Sequence, residues 1–173
     1  REILDLTEQY PADIGVMAGY MLIFTGTFVE RRSLLNLHPA LPSGPTGTWQ
    51  DVIHELMRSN VRTSGIMAHL AVPEVDRGPP VTFCSYQLDT KQIMSNLWKN
   101  YASHESETID STQKELLFDA IRKEGLRREP IFLVATLRQM AQGFISDLDG
   151  ALTSNHSLPL NLTRDVEELL EAH

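Results

Sequence analysis

The chain has 173 residues, 42% of them hydrophobic and 22% charged, with 15 Lys and Arg against 23 Asp and Glu for a formal net charge of -8. That balance suits a soluble globular protein with one sizeable core. The acidic surplus, with no basic run longer than Arg31-Arg32 or Arg127-Arg128, argues against a nucleic-acid partner, which would meet mostly repulsion. Cys84 is the single cysteine and cannot close an internal disulfide. No apolar run approaches the roughly 20 residues that span a bilayer, and nothing reads as a secretory signal, so the expected setting is a reducing cytoplasm without membrane contact.

Residues 13–19, Asp-Ile-Gly-Val-Met-Ala-Gly, form a short apolar run ending in glycine, which predicts a strand buried on both faces. A second short run at 33–38 is stopped by Pro39, and Pro42, Gly44, Pro45 and Gly47 predict a rigid loop after it. Thr48 and Asp51 supply an N-cap and an acidic first turn, and Val52, Ile53, Leu56 and Met57 recur at helical spacing, so a helix is expected from about 48 to 59. Residues 65–72 and 80–86 predict two strands that pair as neighbours through a Pro/Gly-punctuated loop. Residues 92–102 are weakly helical, and 104–110 are polar and acidic, a surface excursion.

Thr112-x-x-Glu115 is a capping-box pattern ahead of Leu116, Leu117, Ala120 and Ile121. A further helix with Pro130 in its first turn runs to Gly143, a C-terminal cap, and the two helices would cover a sheet face. The short helical stretch at 163–171 reads as a docked tail, with a homodimer contact as the other reading.

Among these elements, Asn36-Leu37-His38-Pro39 carries the most chemistry. Residues two apart on a strand project from one face, so Asn36 and His38 would stand together where the strand gives way to a loop. Open α/β sheets place their sites at such ends. An amide N–H and an imidazole suit a carbonyl oxygen gaining negative charge. An isolated Asn-x-His is still more often a loop-satisfying amide beside a packed histidine.

The surrounding motifs change that balance. Ala18-Gly19-Tyr20-Met21, Phe28-Val29-Glu30-Arg31, Leu35-Asn36-Leu37-His38-Pro39 and Leu41-Pro42, followed by the ungapped stretch 65–76 with His69 and the Arg77-Gly78-Pro79-Pro80-Val81 strand start, resemble the folate-dependent formyltransferases, especially their glycinamide ribonucleotide branch. Residues 112–143 resemble that family's closing pair of helices. The resemblance covers most of 12–87 and 110–145, with 88–109 looking like an insertion and 146–173 a C-terminal tail.

The resemblance implies an α/β fold, a mixed and partly parallel sheet flanked by helices with Rossmann-type topology, lacking an N-terminal part. It implies transfer of a formyl group from formyltetrahydrofolate to a small-molecule amine, glycinamide ribonucleotide or a relative, in purine biosynthesis and without a metal. Asn36, His38 and Asp76 occupy the positions of the family's catalytic trio. Asn36 and His38 would stabilise the oxyanion, while Asp76 would orient the imidazole and relay a proton. Met21, Leu22, Ile23 and Phe24 on one side, and Val72, Pro73, Glu74 and Val75 on the other, would line the folate pocket. His69 is expected to support the site from the core.

Three departures bear on function. Leu22 stands where the family usually has an arginine. The loop over 40–49 is shorter than the family's and lacks its downstream histidine. The family's phosphate loop has no counterpart, so the fragment alone is expected to be inactive. A formyltetrahydrofolate hydrolase and a catalytically silent folate-binding module are the competing readings.

Overall fold

The computed structural model describes residues 5–7, 9–10, 12–19, 26–102, 111–148, 151–154 and 157–172. A mixed sheet runs in the order β1 (Gly15–Met17), β2 (Leu34–His38), β3 (Thr63–Leu70), β4 (Pro80–Gln87) and β7 (Leu160–Asn161). The pair β1/β2 is parallel, joined by the short helix α1 (Gly26–Arg31); β2/β3 and β3/β4 are antiparallel, and β4/β7 is parallel. A separate hairpin pairs β5 (Ile145–Leu148) with β6 (Ala151–Ser154). The helices are α2 (Trp49–Arg58), α3 (Gln92–Ala102), α4 (Ser111–Leu126), α5 (Glu129–Ala141) and α6 (Thr163–Glu171). Among the described residues no helix is long and apolar enough to cross a membrane.

Local chemistry accounts for several boundaries. Thr48 caps α2, accepting from the Asp51 backbone N–H at 3.2 Å while the Asp51 carboxylate accepts from the Thr48 N–H at 2.9 Å, a reciprocal capping box. Val52, Ile53, Leu56 and Met57 then fall on one buried stripe. Pro130 lies in the first turn of α5, and Gly143, just past its end, adopts φ +75°, the left-handed stop that glycine takes without strain.

Two expectations need correction. The run at 13–19 does contain a strand, but among the described residues it is an edge strand and Val16 is exposed; apolar composition alone does not reveal which sheet faces are covered. Thr112 lies inside α4, one residue past its start at Ser111, so the capping-box pattern falls in the first turn and not at the N-cap. Part of the segment 88–109 contributes to the core: Leu88, Met94 and Trp98 are buried, and the Trp98 indole donates to the Leu88 carbonyl at 3.2 Å. The acidic stretch 104–110 lies outside the described residues.

One cluster joins Leu35 of β2, Ile66 of β3, Val81 of β4, Leu117 of α4, Phe132 of α5 and Val166 of α6. The central strand β3 is buried along nearly its whole length, as a strand covered on both faces must be. The Thr82 and Thr136 hydroxyls, both fully buried, satisfy each other at 2.8 Å between β4 and α5.

Candidate active site

The end of β2 and the loop after β3 converge on a cavity of about 790 Å³. Asn36 and His38 point to one face of β2, and the antiparallel register sets His69 of β3 directly opposite Asn36, so the three side chains share a face. The β3/β4 pairing slips between Ala68 and His69. Such a bulge re-aims a side chain at a site.

Asp76 arrives from the loop between β3 and β4. Its φ of +56° is in the left-handed region, which Asp tolerates better than most residues, and this turn directs the carboxylate back over the strand ends. The loop is pinned by bonds from Ala71 N–H to the Leu34 carbonyl at 2.8 Å and from Leu70 N–H to the Pro79 carbonyl at 3.1 Å. Gly78 packs so closely on Leu70 that a Cβ there would lie 1.6 Å from the Leu70 carbonyl oxygen.

The polar contacts form a connected set. Asn36 Nδ2 lies 3.1 Å from His69 Nε2 and donates to Asp76 Oδ1 at 3.3 Å. His69 Nδ1 is 3.0 Å from the Leu70 carbonyl, and its Nε2 is 3.6 Å from Asp76 Oδ1. His38, 3% exposed, places Nε2 2.9 Å from the Pro45 carbonyl and Nδ1 3.8 Å from Asp76 Oδ2. Burial pushes the His69 pKa down, outweighing the Leu70 carbonyl and the Asp76 charge, which pull it up.

Seven of the eleven residues expected from the sequence have a described place. Asn36, His38 and Asp76, drawn from positions up to 40 residues apart, meet at the cavity. Val72, Pro73 and Val75 line it, whereas Glu74 is exposed and does not, its backbone carbonyl accepting instead from Arg77 N–H at 3.3 Å. Met21, Leu22, Ile23 and Phe24 lie outside the described residues.

Sequence reasoning missed two features. The Pro45 carbonyl holds the far side of the His38 ring. The cavity lining also includes Trp49, Arg122 and Glu129, with the Arg122 guanidinium 4.6 Å from the Trp49 ring centroid and 2.8 Å from Glu129. The first is a backbone group and the second a helix-helix juxtaposition, so neither leaves a local motif.

A mixed α/β sheet with an amide, an imidazole and a carboxylate gathered at strand ends beside a largely apolar cavity has the form of a ligand-binding site of an open α/β fold. The chain belongs to the formyl transferase family: the family model described as "Formyl transferase" matches residues 1–112. It is 25% identical over 125 residues to a phosphoribosylglycinamide formyltransferase of Dictyostelium discoideum, a match covering 66% of this chain and 61% of that relative. Among solved structures, a phosphoribosylglycinamide formyltransferase from Anaplasma phagocytophilum aligns with a TM-score of 0.61 at 18% identity, over 94% of this chain and 69% of that one. A formyltetrahydrofolate deformylase from Burkholderia mallei gives the same TM-score and identity over 90% of this chain and 47% of that one. These two structural likenesses speak to the fold.

Proposed function

We propose that the protein, at its natural full length, transfers a formyl group from formyltetrahydrofolate to a small-molecule amine, glycinamide ribonucleotide or a related compound, with Asn36, His38 and Asp76 as the reacting-site residues. The observation that carries this is the meeting of those three side chains at one cavity in a chain of the formyl transferase family. The amine nitrogen attacks the formyl carbon, and the carbonyl π pair becomes an oxyanion. Asn36 N–H and a protonated His38 Nδ1 donate to that oxygen. The 3.8 Å between His38 Nδ1 and Asp76 exceeds a hydrogen bond and leaves Nδ1 room to reach a ligand oxygen. Asp76 takes the proton from the attacking ammonium, directly or through a water, and it passes to the folate nitrogen as the carbon–nitrogen bond to the folate breaks.

The donor would lie along Val72, Pro73 and Val75, whose apolar atoms suit a flat heteroaromatic ring. Met21 to Phe24 complete this reading from the sequence. A second reading replaces the amine with water, as in the deformylase whose solved structure shares the fold.

The test titrates a folate analogue into the full-length protein and follows formylated amine and released formate separately, for the parent, His38→Ala and Asp76→Asn. Asn tolerates the left-handed φ at 76 as Asp does, so the second variant keeps the loop. Turnover is expected to fall at least about 100-fold in each, with formylated amine as the parent's product. Formate formed without an acceptor would favour the hydrolase. A folded parent that neither binds the analogue nor turns over would sink both readings.

A further inference from the structure

We propose that His69 is a positioning residue that works as a neutral imidazole, protonated on Nδ1, and holds the Asn36 amide with its NH2, not its carbonyl, turned to Asp76 and to the cavity where a ligand oxygen would lie. This rests on the reading of Asn36 as an oxyanion donor.

The assignment follows from the neighbours. An ionised carboxylate can only accept, so the Asn36 atom 3.3 Å from Asp76 Oδ1 is the amide NH2. That same nitrogen is 3.1 Å from His69 Nε2, which must therefore present its lone pair. The other ring nitrogen, Nδ1, faces the Leu70 carbonyl at 3.0 Å and must carry the proton. Both ring positions are thus specified by partners that accept no substitute, and the ring, 2% exposed, has little water to ease a charge. The titratable groups facing it among the described residues are Asp76, at 3.6 Å, and His38, whose ring centroid is 6.5 Å away.

The triangle of atoms then fixes how the amide is used. Seen from Asn36 Nδ2, His69 Nε2 and Asp76 Oδ1 are separated by an angle well inside the roughly 120° between the two N–H bonds of a planar amide, so each N–H meets its acceptor along a bent line. A ligand oxygen in the cavity that Asn36 lines can take over one of these bent bonds while the other keeps the amide oriented. A protonated His69 would put Nε2–H against the amide N–H, turn Asn36 over and remove that donor.

The test uses the full-length protein with 15N-labelled histidine and asparagine. Its NMR spectrum is expected to show His69 as the Nδ1–H tautomer, titrating below the ordinary histidine value of 6.5, and two well-separated Asn36 amide proton shifts. In His69→Phe those amide shifts should converge and kcat should fall by about 10- to 100-fold, with the KM for the formyl donor little changed. His69→Gln, which keeps an acceptor for Asn36, should recover part of kcat. An Nε2–H tautomer, a ring titrating like an ordinary histidine, or unchanged Asn36 shifts in a folded His69→Phe would each overturn the proposal. An inactive parent would instead remove the functional reading, leaving the spectrum to decide the positioning role by itself.

Discussion

Replacing Gly78 with alanine should disable the site from two residues away. A Cβ at this position would lie 1.6 Å from the Leu70 carbonyl oxygen, 2.8 Å from its carbon and 3.2 Å from His69 Nδ1, whereas ordinary contact begins near 3.4 Å. The obstacle is the backbone of a central strand, so the loop has to retreat by about 1.8 Å. The Leu70 N–H to Pro79 carbonyl bond, now 3.1 Å, stretches beyond range, and Asp76 is carried away from Asn36 and His38. Overpacking of this kind costs about 1–3 kcal/mol, and a misplacement on the 1 Å scale costs on the order of 100-fold in rate. Urea unfolding reads the first quantity, while titration of a folate analogue and the formyl-transfer rate read the second. A Gly78→Ala protein with parental stability and parental affinity would refute the claim that this close approach positions the carboxylate.

Other consequences concern the scaffold. Arg128, 7% exposed, donates to Glu167 at 2.7 and 3.2 Å and to Glu124 at 2.7 Å, and its guanidinium lies 4.4 Å from the Tyr86 ring centroid. Arg128→Ala removes the buried guanidinium shared by Glu167 and Glu124, leaving Glu124 to Lys91 and Arg127, and should cost about 1–3 kcal/mol in urea unfolding. Stability should also fall with acid. Burial pushes Glu124 up, but bonds and charge from Lys91 and Arg128 hold it below the ordinary value of 4.5, so the unfolded chain takes up protons first and the contribution is lost as pH falls through the folded-state pKa. The lowered His69 pKa acts in the same direction, beginning below 6.5. Urea midpoints measured downward from pH 7 should therefore decrease, and His69→Gln should flatten the portion just below pH 6.5. Burial raises the Cys84 thiol to about 12, so native protein at pH 8 should resist a thiol reagent that labels it promptly in urea.

Several features were legible in the sequence because their causes are local. The Thr48/Asp51 capping box and the four apolar residues behind it define α2 within a residue or so, since a cap and a stripe both act within two turns of backbone. Proline and glycine punctuation delimited β3 and β4, and their pairing followed from the short connection between them. The two-residue period placed Asn36 and His38 on one face of β2. Weak signals failed where burial comes from distant partners. Residues 92–102 formed a helix as the pattern suggested, but nothing in its faint periodicity revealed Trp98 as a core residue. The edge position of β1 depends on which strands neighbour it, and the two-residue β7 is too short to leave a pattern.

The candidate site divides in the same way. Composition and motif order by themselves determined the fold class, the family resemblance and the residue types available for chemistry. Only the tertiary structure decided how they work together. The β2/β3 register set His69 opposite Asn36, a bulge re-aimed its ring, and a left-handed turn at Asp76 brought a carboxylate from 40 residues away to within 3.3 Å of the same amide. Register and loop closure are properties of paired strands, and a shift of one residue would send every side chain to the opposite face, so no reading of one strand at a time can recover them.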